Sequence, residues 1–369
     1  MNYIAKFFRN ASAIVLATGI IGLAAQAAAQ TLPLEIPWVN EWASSGHARY
    51  NEEPFTHWNK KGSVPPACAR CHTTTGFQDY IGADGSAAGT VEKPHLIGQV
   101  ISCVACHNKV TRTLSEVTFP SGAKIDKLGS EARCMTCHQG RESTPSMNKM
   151  LDGLAEDTTS EKVKFLNIHY RAAGATRYGT EVKGGYEYAG KTYTGLFLHD
   201  KASTVCTDCH TLHTFRVDVV NCNLCHRDVK KPADYKKIRR TEGDFNGNGN
   251  EKEGIAKEID GLHAGLYGAI QEYAAKKVGK SIVYAPHNYP YFFYDKNANG
   301  KVDGGEAIYP NKYNSWTPRL LKAAYNYQFV AKDPGMYTHN PKYVLQLLYD
   351  SLESLSEKIK VDMARMKRP

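Results

Sequence analysis

The sequence predicts a mainly α-helical protein with much irregular loop, arranged as two regions behind a short N-terminal segment. Every cysteine lies before residue 226, among stretches rich in Gly, Pro, Ser and Thr, whereas the chain after about residue 240 has no cysteine and shows longer helical periodicity. We therefore expect short helices and long loops in the first region. Longer helices packed on an apolar core are expected in the second.

The N-terminal segment, residues 1–29, has the pattern of a secretory signal peptide. Lys6 and Arg9 precede a short apolar run, and small residues follow near Ala27–Ala29. The run is shorter than the roughly 20 apolar residues that a membrane-spanning helix needs. The sequence therefore predicts an exported protein that starts near Gln30, has no transmembrane anchor and works in the periplasm or outside the cell.

All ten cysteines belong to five copies of C-x-x-C-H, numbered here motifs I to V in chain order. This is the attachment sequence of c-type haem: the two sulfurs bond the porphyrin edge and the histidine binds the iron. Structural zinc needs four ligands in a tetrahedral set, and redox dithiols or disulfides do not need the same histidine five times. The predicted attachment residues are Cys68, Cys71 and His72; Cys103, Cys106 and His107; Cys134, Cys137 and His138; Cys206, Cys209 and His210; and Cys222, Cys225 and His226.

Nine of the 14 histidines remain as candidates for the second axial position of each iron. His213 follows motif IV by three residues and is expected to reach a neighbouring haem, with motif V the nearest along the chain. Two candidates precede motif I and two lie beside apolar residues between motifs III and IV. The favoured distal ligands are His47, His57, His169, His199 and His213, ahead of His95, His263, His287, His339, Met147 and Met150.

The second region carries three helix predictions and the first region one hairpin prediction. Apolar residues recur at helical spacing from Ile255 to Tyr273, and Thr317–Pro318 and Asn340–Pro341 have the residues of a helix start. Residues 184–195 alternate aromatic and polar side chains around Ala-Gly, which predicts a hairpin.

Two polar loops of the second region resemble the twelve-residue calcium loop of EF-hands. In residues 295–306 every position that supplies an oxygen is filled. Residues 244–255 begin in the same way but end in Ile255, so that Glu253 is the available carboxylate. The predicted calcium ligands are Asp295, Asn297, Asn299, Lys301 through its backbone, Asp303 and Glu306, with a weaker set of Asp244, Asn246, Asn248, Asn250 and Glu253.

From about His47 onward the chain resembles bacterial multihaem c-type cytochromes. The five motifs carry the resemblance, together with SGHA at 45–48, CMTCHQGRES at 134–143 and the tail that holds the 295–306 loop. The resemblance implies a five-haem cytochrome c domain over 30–240, and a helical domain with EF-hand-like calcium loops over 241–369.

The leading functional hypothesis is electron transfer through a chain of largely bis-histidine haems, between redox partner proteins or to extracellular acceptors. One alternative is a multihaem reductase of the nitrite, hydroxylamine or tetrathionate type, which requires one haem with an open distal face. Another is a self-assembling subunit of an extracellular cytochrome assembly. Whether the chain is an enzyme stays open, with a carrier favoured over a reductase.

The basic charge does not indicate a nucleic-acid partner. The chain has 46 basic and 37 acidic residues, so removal of Lys6 and Arg9 with the signal leaves a formal charge of +7. Five haems bring about ten propionates, which offset that charge. The sequence predicts redox partners and no nucleic acid.

The mature protein is expected to carry five covalently bound haems. Mass spectrometry of denatured, correctly matured protein checks this count, because thioether-linked haem stays with the chain. A mass that corresponds to fewer than five haems would contradict the assignment of the motifs.

Overall fold

The computed structural model describes residues 36–200 and 204–369. Packing divides the chain after Val39, and the described residues of the first unit, 36–39, form a turn that leads into a helix. The second unit, Asn40–Pro369, is rich in helix and irregular loop and has little sheet. The predicted signal segment, residues 1–29, lies outside the described residues.

Short helices make up the first region, as predicted. The longest has eight residues, and the helices alternate with loops rich in Gly, Pro, Ser and Thr. The helices of this region are α1 (Val39–Ala43), α2 (Glu53–Thr56), α3 (Pro66–His72), α4 (Thr74–Tyr80), α5 (Cys103–Cys106), α6 (Glu131–Met135), α7 (Thr144–Leu151), α8 (Ala173–Tyr178), α9 (Cys206–Cys209) and α10 (Val219–Asn223).

Longer helices follow, and their predicted starts are confirmed. The Thr317 hydroxyl accepts a hydrogen bond from the Leu320 N–H, and the Asn340 Oδ1 accepts one from the Tyr343 N–H. Both caps are followed by a proline, which lacks the N–H that the first turn leaves unpaired. These helices are α11 (Ile255–Tyr273), α12 (Pro318–Lys332), α13 (Met336–His339) and α14 (Pro341–Ser356).

The strands in the described ranges form three short antiparallel pairs. Each pair closes a loop and none builds a layer of the fold. The pairs are β1 (Ser63–Val64) with β2 (His95–Leu96), β3 (Val117–Thr118) with β4 (Lys124–Ile125), and β5 (Ile282–Tyr284) with β6 (Phe292–Tyr294).

The main apolar core is built where α11, α12 and α14 pack together, around fully buried residues such as Leu262, Tyr325 and Leu348. The same cluster extends back through Met135 and Ile168 of the first region. Apolar packing therefore crosses residue 240, and separate folding of 30–240 and 241–369 stays a prediction.

The hairpin predicted at 184–195 is wrong, because this segment contains a turn but no strand. Its backbone groups pair instead with side chains of the helical core. The Asn326 Oδ1 accepts the Tyr186 N–H at 2.7 Å, and its Nδ2 donates to the Tyr186 carbonyl at 2.9 Å and to the Ser351 hydroxyl at 3.0 Å. The fully buried amide of Asn326 thus forms the two backbone hydrogen bonds that a neighbouring strand would form in a hairpin.

Replacing this amide, Asn326→Ala, should lower the free energy of unfolding by about 3 kcal/mol, because it leaves two buried backbone groups of Tyr186 without partners. Denaturant unfolding measures the change. The control is Asn51→Ala on an exposed turn, for which we expect little effect. Equal stability of the two variants would show that Asn326 does not hold the segment.

Candidate haem-binding site

Each attachment motif lies on a short helix or on a helix end and the turn that follows it, so its two cysteines are about one turn apart. In four motifs the backbone N–H of the histidine donates to the backbone carbonyl of the first cysteine. These bonds run from His107 to Cys103, His138 to Cys134, His210 to Cys206 and His226 to Cys222. In motif I the three residues belong to α3 itself. Local hydrogen bonding therefore fixes the position of the histidine relative to the two sulfurs.

Three attachment histidines have their Nδ1 atoms bound to backbone carbonyls. The Nδ1 atoms of His72, His138 and His210 lie 2.7, 3.0 and 3.0 Å from the carbonyl oxygens of Pro54, Arg171 and Phe215. Because a carbonyl only accepts, Nδ1 carries the proton and the Nε2 lone pair is available. This is the second-shell arrangement that orients histidines for metal binding.

A second histidine faces each attachment histidine. The separations of the ring centres fall in a narrow range, from 5.8 to 6.4 Å. The facing pairs are His72–His169 at 5.8 Å, His107–His213 at 6.0 Å, His138–His47 at 6.2 Å, His210–His339 at 6.4 Å and His226–His199 at 6.0 Å.

These separations test whether the residues fit a haem iron. Two imidazoles bound on opposite sides of one metal ion have ring centres about 6 Å apart, because each metal–nitrogen bond is about 2 Å and each nitrogen lies about 1 Å from its ring centre. Rings in direct stacking contact would lie closer, as His263 and Tyr327 do at 4.0 Å. All five facing pairs therefore leave the width of one metal ion between two imidazoles.

Four of the five favoured distal candidates stand in facing pairs, namely His47, His169, His199 and His213. His213 faces motif II and not motif V, which is the next motif along the chain. His199 faces motif V. Two of these residues, His169 and His213, have positive φ angles of 75° and 67°, which are uncommon for residues other than glycine and often mark functional sites.

The fifth favoured candidate, His57, faces no attachment histidine. Its side chain is 54% exposed, stacks edge-on against Trp58, and its Nδ1 lies 2.6 Å from the Glu53 carboxylate. Its place in the set is taken by His339, at the end of α13, which the sequence ranked lower. The signal that could have found it is Asp333, six residues earlier, since metal-binding histidines are often held by a carboxylate.

Burial lowers the pKa of five of these imidazoles and so favours their neutral form, which is the form that binds iron: His47, His72, His138, His169 and His226. Burial, assisted by the nearby His138, lowers the pKa of His47 to about 4, and burial, assisted by His72, lowers that of His169 to about 4. The pKa of His72 is lowered mainly by burial as well. His339 differs: burial disfavours its charge, but the Asp333 carboxylate outweighs burial and raises its pKa.

Motif III lies at the centre of the attachment sites. Its Cys137 Sγ donates to the carbonyl of Arg70 in motif I at 3.7 Å. Glu131 on α6, the helix that carries Cys134, accepts the Cys206 N–H of motif IV at 3.0 Å. The Arg133 guanidinium donates to the carbonyl of Cys106 in motif II at 3.0 Å. None of the ten cysteines, which all lie in the described ranges, forms a disulfide. Motif III thus adjoins motifs I, II and IV, and motif V adjoins motif IV through the Asn221 side chain and the carbonyl of Asp208.

The loop 295–306 has the turn of a calcium loop. Asp295 accepts the N–H groups of Asn299 and Gly300, and Gly300 has a φ of 77°. Glu306 is buried and accepts two backbone N–H groups, from Lys296 at 2.8 Å and Asp303 at 3.0 Å. The carboxylate at position twelve therefore turns back onto the loop.

The loop 244–255 also has a buried carboxylate that accepts its backbone N–H groups, but this carboxylate belongs to Glu258, which lies outside the twelve-residue pattern. Its Glu253 accepts the side-chain amides of Asn246 and Asn248, as Asp303 does in the other loop. Glu258, fully buried on α11, accepts the N–H groups of Phe245 and Asn246 and is paired with Arg239 at 2.6 Å. Glu258 thus stands where Glu306 stands in the second loop.

Two features are absent from the described residues. Within residues 36–200 and 204–369, no group of three or more His, Cys, Asp or Glu side chains is placed to hold a metal ion. Asparagine and backbone oxygens would therefore have to complete either calcium loop. Over the same ranges, no helix combines the length and apolar character needed to cross a membrane.

Known proteins match this chain over its motif-bearing part. Residues 53–139, which contain motifs I to III, match the family described as cytochrome c7 and related cytochrome c. The chain is 28% identical over 358 residues to the C-type polyheme cytochrome OmcB of Geobacter sulfurreducens, covering 81% of this chain and 45% of the relative. OmcC of the same organism is also 28% identical, over 371 residues that cover 81% of this chain and 44% of the relative. No solved structure matches the chain significantly.

Both kinds of match point to one class of protein. Together with the five motifs, they support a multihaem c-type cytochrome. The chain is similar over most of its length to polyheme cytochromes of Geobacter sulfurreducens, and it spans less than half the length of these relatives.

Proposed function

We propose that this cytochrome binds five haems, each held by its motif and by two histidines, and that it transfers electrons. The five facing pairs carry the proposal. Motif histidines His72, His107, His138, His210 and His226 supply the proximal ligands, and His169, His213, His47, His339 and His199 supply the distal ligands in the same order. The set retains four of the favoured distal candidates and exchanges His57 for His339.

Bound haem iron supplies a one-electron couple. Two histidines would hold each bound iron, because each attachment histidine has a partner at about the width of one metal ion. A reductase needs one iron whose distal side is open to substrate. Every attachment histidine among the described residues has a facing histidine, which favours an electron carrier over a reductase.

All five facing histidines come from the same chain as the motifs. Ligand exchange between subunits is therefore not needed to complete any site, and self-assembly would use other surfaces. Redox partner proteins or extracellular electron acceptors remain the proposed partners, with the periplasm or the cell exterior as the proposed location. Nucleic acid is not proposed as a partner.

The choice between His339 and His57 provides the sharpest test. His339→Ala should leave one haem iron in five without its distal ligand, so about a fifth of the ferric haem should become high-spin and bind carbon monoxide after reduction. His57→Ala is the matched control and should leave the spectrum unchanged. Absorbance and electron paramagnetic resonance measure both.

The opposite pattern, with a high-spin fraction in His57→Ala and none in His339→Ala, would restore the sequence-based choice and contradict the facing pair at motif IV. An unchanged spectrum in both variants would show that neither histidine binds iron.

Calcium binding to the loop 295–306 is a second part of the proposal. Glu306 and Asp295 are buried and each accepts two backbone N–H groups of the loop, so a divalent cation would bind these two carboxylates together with asparagine and backbone oxygens. The loop 244–255 is proposed as the weaker site, since Arg239 already neutralises Glu258.

Removing the position-twelve carboxylate, Glu306→Ala, should abolish the part of the thermal stability that depends on calcium, because ligand binding stabilises the folded state by about 2.7 kcal/mol at a hundredfold excess over Kd. The control is Glu161→Ala, at an exposed residue. Melting temperatures are compared with calcium and with a chelator. Equal melting temperatures of the parent protein under both conditions would contradict the site.

A further inference from the structure

The facing histidine of motif IV differs from the attachment histidines in what its second ring nitrogen contacts. The His339 Nδ1 lies 3.0 and 2.8 Å from the two carboxylate oxygens of Asp333. Asp333 is only 2% exposed, so water does little to screen its charge. On the opposite side, the His210 Nδ1 donates to the backbone carbonyl of Phe215. An iron held between His210 and His339 would therefore have a ligand bonded to a neutral acceptor on one side and a ligand bonded to a buried anion on the other.

The structure holds the carboxylate in place from its own side of the site. The Gly335 N–H donates to Asp333 Oδ1 at 3.1 Å, and the His339 N–H donates to the Gly335 carbonyl at 3.0 Å. A Cβ atom at Gly335 would come within 2.6 Å of the His339 ring, so glycine is needed for the ring to lie against this turn. The turn before α13 thus fixes both the imidazole and the group that holds it.

No nearby cation takes the charge of Asp333 away from His339. The preceding Lys332 directs its ammonium to the Pro286 carbonyl and the Tyr170 ring, and Arg177 is paired with Glu131. Within the described ranges, the ion-pair partner of Asp333 is His339. The other groups that contact the carboxylate, the Gly335 N–H and the Thr176 side chain, are neutral hydrogen-bond partners, so they leave its charge in place beside the imidazole.

We propose that Asp333 is a positioning residue that tunes the iron site of motif IV, lowering its reduction potential through His339. The inference rests on the proposed ligation of that iron by His210 and His339. A carboxylate that accepts the Nδ1–H makes the imidazole a stronger donor, and its buried charge favours the more positive ferric state. Both effects act in the same direction and stabilise oxidised iron.

The test is the neutral isostere Asp333→Asn, examined by potentiometric titration of the fully haem-loaded protein. The equilibrium constant for one-electron reduction of one haem in five should increase about tenfold, which raises its potential by about 59 mV. The ferric protein should stay low-spin. Asp333→Glu keeps the charge, so its potential should stay close to that of the unmutated protein.

The matched control is Asp79→Asn. Asp79 is also buried and its carboxylate lies 2.9 Å from a histidine Nε2, but that histidine, His95, faces no motif. This variant should destabilise the fold without moving any potential. Five unchanged potentials in low-spin Asp333→Asn protein would overturn the proposal, and so would the same shift in both variants.

A measurement on the unmutated protein keeps the proposal testable if Asp333→Asn does not fold. One ferric low-spin haem in five should show the stronger axial ligand field of a histidine with imidazolate character, and five equivalent ligand fields would overturn the inference. A high-spin haem in the unmutated protein would instead contradict the proposed bis-histidine ligation, so the two failures are distinguishable.

Discussion

The constraint on which the rest of the structure depends is the width of the gap between facing imidazoles. Five pairs keep their ring centres 5.8 to 6.4 Å apart, although the members of a pair come from distant parts of the chain. Two imidazoles at this separation would fit on opposite sides of one bound iron. In this region, where the helices are short, bound haem would then contribute to the packing that long helices supply elsewhere.

The helical second region takes part in setting these gaps. The Lys332 carbonyl at the end of α12 accepts the Arg171 N–H at 2.8 Å, and the Arg171 carbonyl lies 3.0 Å from the Nδ1 of His138. The same segment carries His169, which faces motif I. At the start of α14, the Asn340 amide donates to the carbonyls of Arg177 and Gly195, directly after His339. Packing of α12 and α14 therefore places ligands for motifs I, III and IV.

Local chemistry could be predicted from the sequence, and through-space pairing could not. The five motifs and the caps Thr317 and Asn340 depend on residues within a single turn of chain, so their patterns are visible in the sequence. The pairing of His339 with His210 depends on the packing of α13, and no local pattern reports it. His57 looked equivalent to His47 in the sequence, but it lies directly after α2 with its side chain more than half exposed. Glu258 was missed for a related reason, since helix α11 and not loop spacing brings it to the loop 244–255.

The most direct test of the central claim is the spin state of the ferric protein as it is isolated, with its haem content determined in the same sample. Ligation by the five facing pairs predicts five haems per chain, all of them low-spin, with no affinity for carbon monoxide after reduction. A high-spin signal that accounts for one or more haems would contradict the claim. It would show that at least one of the gaps between imidazoles does not hold a six-coordinate iron.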